Sequence, residues 1–300
     1  MLADGVQIRN KGLDSMEVDT LYHIGFSTNQ SLKEMFGDVR FVCMGGTAYR
    51  MEKLARNIVR DFGIKLPTGT DLCDLSMHSH RYSMFKAGPV LCVGHGMGAP
   101  SVSILLHELF KLLYYAEAKD VIFIRMGTSG GLGLPPGSIV VSKKVINEFG
   151  ETSHPFAVLG RRIDRPCVLP QDLADEIINV GRAVCPDVTV VGATTMSAND
   201  FYEGQARLDG AFCDYTAACK QAFLSELHSE RGVTNIEMES SVFSAMCHHA
   251  GIKAAVVCVT IVERLQEDQI TCRAISLDEA QMRLQSIVMA FIKEKLHWGL

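Results

Sequence analysis

The segment Phe201-Tyr202-Glu203-Gly204-Gln205-Ala206-Arg207 places an amide and a guanidinium two residues apart. In extended backbone, side chains at i and i+2 share a face. Gln205 then offers a donor and an acceptor beside the donor fork of Arg207, a set that suits a planar imide edge. Phe201 or Tyr202 is near enough in sequence to stack on such a ring, and a solvated loop is the plainer alternative. Two further segments suit an anion. Gly45-Gly46 precedes Arg50, and Arg125 precedes Gly127-Thr128-Ser129-Gly130-Gly131. Glycines let backbone N–H groups converge, while a hydroxyl and a guanidinium beside them add donors and charge. Two such loops on one sheet rim point to a small doubly charged anion such as phosphate.

Asn235-Ile236-Glu237-Met238-Glu239-Ser240-Ser241 carries two carboxylates from an extended stretch into an apolar helix. Helix capping and the macrodipole explain acidic residues there. Accepting two hydrogen bonds from a vicinal diol is the functional alternative, and a glycosidase acid/base pair is another.

Other motifs compete and fare worse. Gly94-His95-Gly96-Met97-Gly98-Ala99 fits the dinucleotide fingerprint. The acidic residue that should hold a ribose hydroxyl at the end of the next strand is replaced by Arg125, which disfavours NAD and leaves NADP open. A tight turn for close helix packing is the simpler reading. Gly127-Thr128-Ser129-Gly130-Gly131 also matches the nucleophile elbow, which needs a helix directly after its serine. The glycines and prolines of 131–137 oppose a helix. His107-Glu108 lacks the second histidine of a zinc-protease helix, and the ten cysteines form no CxxC pair, so no metal site is expected.

The elements that must position these residues alternate. Strand-like runs at 39–44, 89–93, 121–126, 138–145, 188–191 and 254–259 are separated by helical patterns at 49–61, 99–117, 171–184, 238–249 and 276–295. This order predicts an α/β fold in which helices cover a central, mixed but largely parallel twisted sheet, with ligands at the carboxyl ends of the strands. Residues 1–20 read as a polar arm, and 21–300 as one domain. The net charge of −5 excludes a basic nucleic-acid surface over the whole chain, though not a local basic pocket. The start lacks signal-peptide order and no run suits a membrane span, so a cytoplasmic protein with structural thiols, without nucleic-acid or membrane partners, is expected.

With these segments in view, the chain resembles the uridine phosphorylases of the nucleoside phosphorylase superfamily, from about residue 21 to residue 295. The resemblance rests on 45–50, His95-Gly96-Met97-Gly98, 125–131, 201–207 and Glu237-Met238-Glu239-Ser240. The Gln-x-Arg pair marks the uracil-reading branch, and Phe36-Gly37-Asp38-Val39 and Leu112-Leu113-Tyr114-Tyr115-Ala116 look animal-type. It implies reversible phosphorolysis of uridine to uracil and ribose 1-phosphate, with phosphate as co-substrate and no cofactor. Gly46, Arg50, Arg125 and Thr128 would bind phosphate, joined by Arg81 from a neighbouring subunit. Gln205 and Arg207 would read uracil, with Phe201 stacking and Ile261 and Val262 lining the base pocket. Met238, Glu239 and Thr128 would hold ribose, and His23 of the neighbour its 5′-hydroxyl, which implies a homodimer with shared sites. Arg125, Gln205 and Arg207 would carry catalysis. Where the family usually has Asn before its arginine, this chain has Glu263-Arg264, so a tolerated change, altered closure of the lid at 266–273 or altered substrate choice is expected. A nucleoside hydrolase and a non-catalytic nucleoside-binding paralogue remain as alternatives.

Overall fold

Apolar runs such as Val90-Leu91-Cys92-Val93 are too short for helices and are buried along their whole length. The structure, a computed structural model describing residues 5–270 and 275–298, makes them strands of one eight-stranded sheet. After a 3-10 turn at Lys11–Ser15 come a small hairpin, β1 (Thr20–Leu21) and β2 (Phe26–Ser27), and a short helix α1 (Leu32–Phe36). Then come β3 (Phe41–Gly45), α2 (Ala48–Asp61), β4 (Ser83–Ala87), β5 (Val90–Gly94) and α3 (Ala99–Tyr115). The middle holds β6 (Ile122–Gly131), β7 (Ile139–Asn147), the hairpin β8 (Ser153–Val158) and β9 (Arg161–Pro166), α4 (Gln171–Val184) and β10 (Val190–Ser197). The chain closes with α5 (Ala217–Ser229), β11 (Val233–Glu237), α6 (Ser240–His249), β12 (Lys253–Glu263) and α7 (Leu277–Lys295). Cys272 and the part of the expected lid at 271–273 lie outside the described residues.

The strand order is β11-β10-β7-β12-β6-β3-β5-β4. Between neighbours in this order, pairing is parallel except between β12 and β7 and between β4 and β5. Helices α3 and α6 cover one face through side chains such as Leu105, Leu109, Phe243 and Met246. Helices α2, α4 and α7 cover the other through Leu54, Ile58, Ile177 and Leu284. Each fully buried side chain of this kind contributes roughly 1.5–3 kcal/mol, so the layers are held by apolar packing on both faces. Residues 5–20, read as an arm, lie along α3 and α6. Val6 is buried, Gln7 N donates to Ala250 O at 3.0 Å, and Asp19 accepts from Lys111 and Tyr115 at 2.8 Å.

One expectation fails in an informative way. The glycine run at 127–131 is the second half of β6, not a loop. It stays extended because β12 runs beside it as far as Glu263, and because β11 folds back antiparallel on its end, Asn235 opposite Gly131 and Ile236 opposite Gly130. The sheet therefore curls until its edge strand meets a central one. Glycine permits that approach: a Cβ at Gly130 would lie 2.6 Å from Arg264 Cγ, and one at Gly131 would lie 2.9 Å from Leu134 O. Backbone N–H groups committed to a ladder cannot all converge on an anion, so this segment contributes side chains more than a backbone cradle.

Candidate active site

The curled sheet leaves a cavity of about 440 Å³ at the carboxyl ends of its strands. Ligand sites commonly span about 300–1,000 Å³, so a nucleoside-sized molecule fits. Gly46, Arg50, Arg125, Thr128, Phe201, Gln205, Arg207, Met238, Glu239, Ile261 and Val262 all line it. His23 and Arg81 do not. His23 Nδ1 meets Glu108 Oε1 at 2.6 Å, and Arg81 is exposed with no ion pair among the described residues.

Arg125 is the buried centre of one end. The curl brings β11 and the start of α6 against it. Nη1 lies 2.8 Å from Glu237 Oε2, and Nη2 pairs with Glu239 Oε2. Burial alone disfavours the charged guanidinium, but Glu237 and then Glu239 outweigh it, and the pKa of Arg125 is raised. Gly127, two residues on, has no side chain because a Cβ there would lie 2.7 Å from Arg125 Nη1. The two carboxylates divide the roles left open by the sequence. Glu237 caps α6, accepting from Glu239 N and Ser240 N at 3.0 Å and from the Ser240 hydroxyl. Both line the cavity, and Glu239 Oε1 accepts from Gly98 N at 2.8 Å.

Arg50 stands across from them in the first turn of α2, whose start is fixed by Thr47 Oγ1 accepting from Arg50 N at 3.3 Å. Its guanidinium forms no ion pair among the described residues, and partial burial lowers its pKa. Arg125 is balanced by two carboxylates; Arg50 is not. The uncompensated positive charge at this end is therefore that of Arg50.

At the other end the backbone differs from expectation. Glu203–Gln205 is a 3-10 turn, and Ala206 is left-handed at φ 53, so Gln205 and Arg207 do not share a face through extension. The turn itself aims both inward. Arg207 is buried, its Cζ 4.4 Å from the Phe201 ring centre, and its fork grips Asp209 through Nε at 2.9 Å and Nη2 at 2.8 Å. That grip and a weaker one from Gln269 hold the Asp209 carboxyl down at about 2. Gln205 is fixed by Arg264, whose Nη2 donates to Gln205 O at 2.7 Å and whose Nη1 approaches Oε1 at 3.5 Å. Arg264 is anchored in turn to Asp268 at 3.0 Å, which also holds Lys220 at 2.7 Å.

Several competing readings end here. The third glycine of the dinucleotide-like motif, Gly98, gives its N–H to Glu239, so that helix start is already occupied by a carboxylate. Ser129 is buried within β6, accepting from Asn235 Nδ2 at 3.1 Å, and is no exposed nucleophile. Glu237 and Glu239 both serve Arg125 and backbone N–H groups, which is unlike an acid/base pair flanking a bond. Glu263 turns away from the cavity and accepts from Gly133 N and Leu265 N, each at 3.1 Å. A shorter amide oxygen can accept the same bonds, so Glu263→Asn should leave kcat/KM for nucleoside within about fivefold, since one such bond is worth about 1 kcal/mol. Steady-state kinetics on the purified variant check this.

Sequence reasoning assigns no role to several cavity residues, Thr47, Asp268 and Gln269 among them. Arg264 was noted only as the neighbour of Glu263, Asp209 gave no signal, and His95 was absorbed into its glycine motif. The alternation that puts Val93 and His95 on one side of their strand could have flagged the last.

Comparisons with known proteins show the family. The family model described as Phosphorylase superfamily matches residues 40–293. Uridine phosphorylase 1 of Mus musculus is 46% identical over 292 residues, covering 97% of this chain and 93% of the mouse protein. A solved uridine phosphorylase structure from the oomycete Phytophthora capsici superposes with a TM-score of 0.93 at 41% identity, covering 98% of this chain and 99% of that one. A protein named inactive uridine phosphorylase B, from Schistosoma mansoni, is also similar, 37% identical over 265 residues and covering 88% of each chain.

Proposed function

Because the chain belongs to the phosphorylase superfamily, among its animal-type uridine phosphorylases, we infer that it catalyses reversible phosphorolysis of uridine to uracil and ribose 1-phosphate. Membership alone does not carry activity, since one relative is named as inactive. The observation that carries it is the cavity's two ends: an uncompensated guanidinium at one, an amide and a guanidinium on an aromatic ring at the other.

In this reading phosphate lies between Gly46, Arg50, Arg125 and Thr128. Since Glu237 and Glu239 more than offset Arg125, the charge for a dianion falls to Arg50 and to Arg81 of a neighbouring subunit. Glu239 and Met238 take the ribose, with Glu239 accepting from the vicinal hydroxyls. Gln205 reads the imide, its oxygen accepting from N3–H and its nitrogen donating to a carbonyl. Arg207 donates to the base while Phe201 stacks, and Ile261 and Val262 close the pocket.

The chemistry follows from charge. The C1′–N1 bond breaks with its electron pair leaving on uracil, and a phosphate oxygen bonds C1′ from the opposite face. Positive charge builds on the sugar, next to the phosphate anion. Negative charge builds on uracil, where Arg207 and Gln205 are preorganised to meet it, and such donors act most strongly in the transition state. Holding both reactants in line contributes much of the remaining acceleration. No covalent enzyme intermediate is required. A hydrolase would have no use for an unbalanced cation at the nucleophile's end.

The reading takes the enzyme as a cytoplasmic homodimer using no cofactor beyond its co-substrate. Exposed Arg81 and half-exposed His23, both off their own chain's cavity, support donation across an isologous interface. Two experiments test it. Uracil release from uridine should require phosphate, and inosine should be left intact; release without phosphate would favour the hydrolase. Co-expressed Arg207→Ala and Arg81→Ala chains should regain roughly a quarter of wild-type activity, because a random half of the dimers carry one intact site. Additive loss without rescue would mean that each site is built from a single chain.

A further inference from the structure

His95 follows β5 and lines the same cavity as Arg50 and Arg125. It is 1% exposed, and neither ring nitrogen has a hydrogen-bond partner. Arg125 Nε is also buried without one. Buried polar atoms without partners are costly and rare. Three of them in one cavity mark a place where a ligand supplies what the protein does not.

Register locates the imidazole. Arg125 on β6 is opposite Met44 on β3, and Met44 is opposite Val93 on β5. These three share one face of the sheet, and His95, two residues past Val93, continues the row toward the strand ends. Its backbone is pinned on both sides: His95 N donates to Gly45 O at 2.7 Å, and His95 O accepts from Ser101 Oγ at 2.6 Å. The loop it begins abuts the Gly46 loop, where a Cβ would lie 3.4 Å from Gly96 O. His95 thus stands at the Arg50 and Arg125 end, away from Gln205 and Arg207.

Its protonation state limits what it can bind. Burial first, and then the charge of Arg125, hold the imidazole down at about 3, so it is neutral at physiological pH. A neutral imidazole has one N–H donor and one acceptor lone pair. A fully ionised oxyanion offers only acceptors and leaves that lone pair unmatched. Monohydrogen phosphate also carries a P–OH, which can donate to it.

We propose that His95 is a further phosphate-binding residue, one ring nitrogen donating to a phosphate oxygen and the other accepting from the P–OH, so that the site selects a protonated oxyanion over sulfate. This rests on the phosphorolysis reading above.

Rates with uridine at varied phosphate, with sulfate as competitor, test it in wild type, His95→Leu and His95→Gln. Leucine should raise the phosphate KM about 10- to 100-fold, the value of a hydrogen bond to a charged partner, while the uridine KM stays within about twofold. Glutamine, a neutral donor and acceptor, should recover most of the phosphate KM. Sulfate should compete poorly in wild type, and its disadvantage relative to phosphate should shrink in the leucine variant. An unchanged phosphate KM, equal losses in both variants, or a rise confined to uridine would overturn the proposal. Calorimetry with inorganic phosphate alone separates the two claims. If wild type binds phosphate and His95→Leu does not, but no uracil is released, the phosphorolysis reading fails and His95 stands; equal phosphate binding by both removes His95 whatever the activity.

Discussion

Arg125→Met should cost both stability and activity, more than any other single change in the cavity. The side chains of Glu237 and Glu239 are 1% and 7% exposed, and Arg125 pairs with both. Methionine fills the space without the charge. Breaking a buried pair by removing one partner costs about 3–5 kcal/mol, because the other charge stays buried and unmatched. In a chain of this size that corresponds to a fall in melting temperature on the order of 10 °C. Turnover with phosphate should fall on the order of 10³-fold, since a preorganised donor at the reacting centre is lost as well. Adding Glu237→Gln should recover part of the stability and none of the activity. Thermal unfolding and kinetics, run well below the variant's transition, separate the two losses. A change under about 1 kcal/mol would mean that the triad is not the buried charge centre described.

Arg207→Ala should behave differently: a large catalytic loss with little cost to the fold. The partner it abandons, Asp209, has a side chain 22% exposed and can turn to water, so the stability change should be about 1 kcal/mol or less. Turnover should fall on the order of 10²–10³-fold, because the guanidinium meets charge that appears on the base only as the bond breaks. Lysine should not restore it. Arg207 Cζ sits over the Phe201 ring, 4.4 Å from its centre, while the fork grips Asp209 with two nitrogens, and an ammonium does not reproduce this pair of contacts. A loss of tenfold or less would mean that Arg207 positions the loop and does not stabilise the leaving base.

The helices and central strands were legible because their signals are local. Thr47 ahead of α2 and Ser276 ahead of α7 are side-chain caps, and the apolar runs of β3, β5 and β12 are buried throughout. The glycine run of β6 was misread because what keeps it extended, β11 folding back from more than a hundred residues away, leaves no local trace. Edge strand β4, the β8–β9 hairpin and helix α5 were passed over; β8–β9 is a two-stranded pair outside the main sheet, and β4 an antiparallel edge strand. Within the site, residue types carried more than geometry. Gln205 and Arg207 both line the cavity, though from a 3-10 turn and not from extended backbone, and the division of labour between Glu237 and Glu239 depends on which one the curl sets against Gly98. His95 is noted only as part of its motif, because the glycines around it offer an easier explanation.

The most direct measurement follows isotopically labelled phosphate through the reaction with uridine. The account predicts that ribose 1-phosphate carrying the label forms in equal amount to the uracil released, with no free ribose. Uracil accompanied by unlabelled free ribose, or nucleoside bound without any uracil appearing, would contradict it.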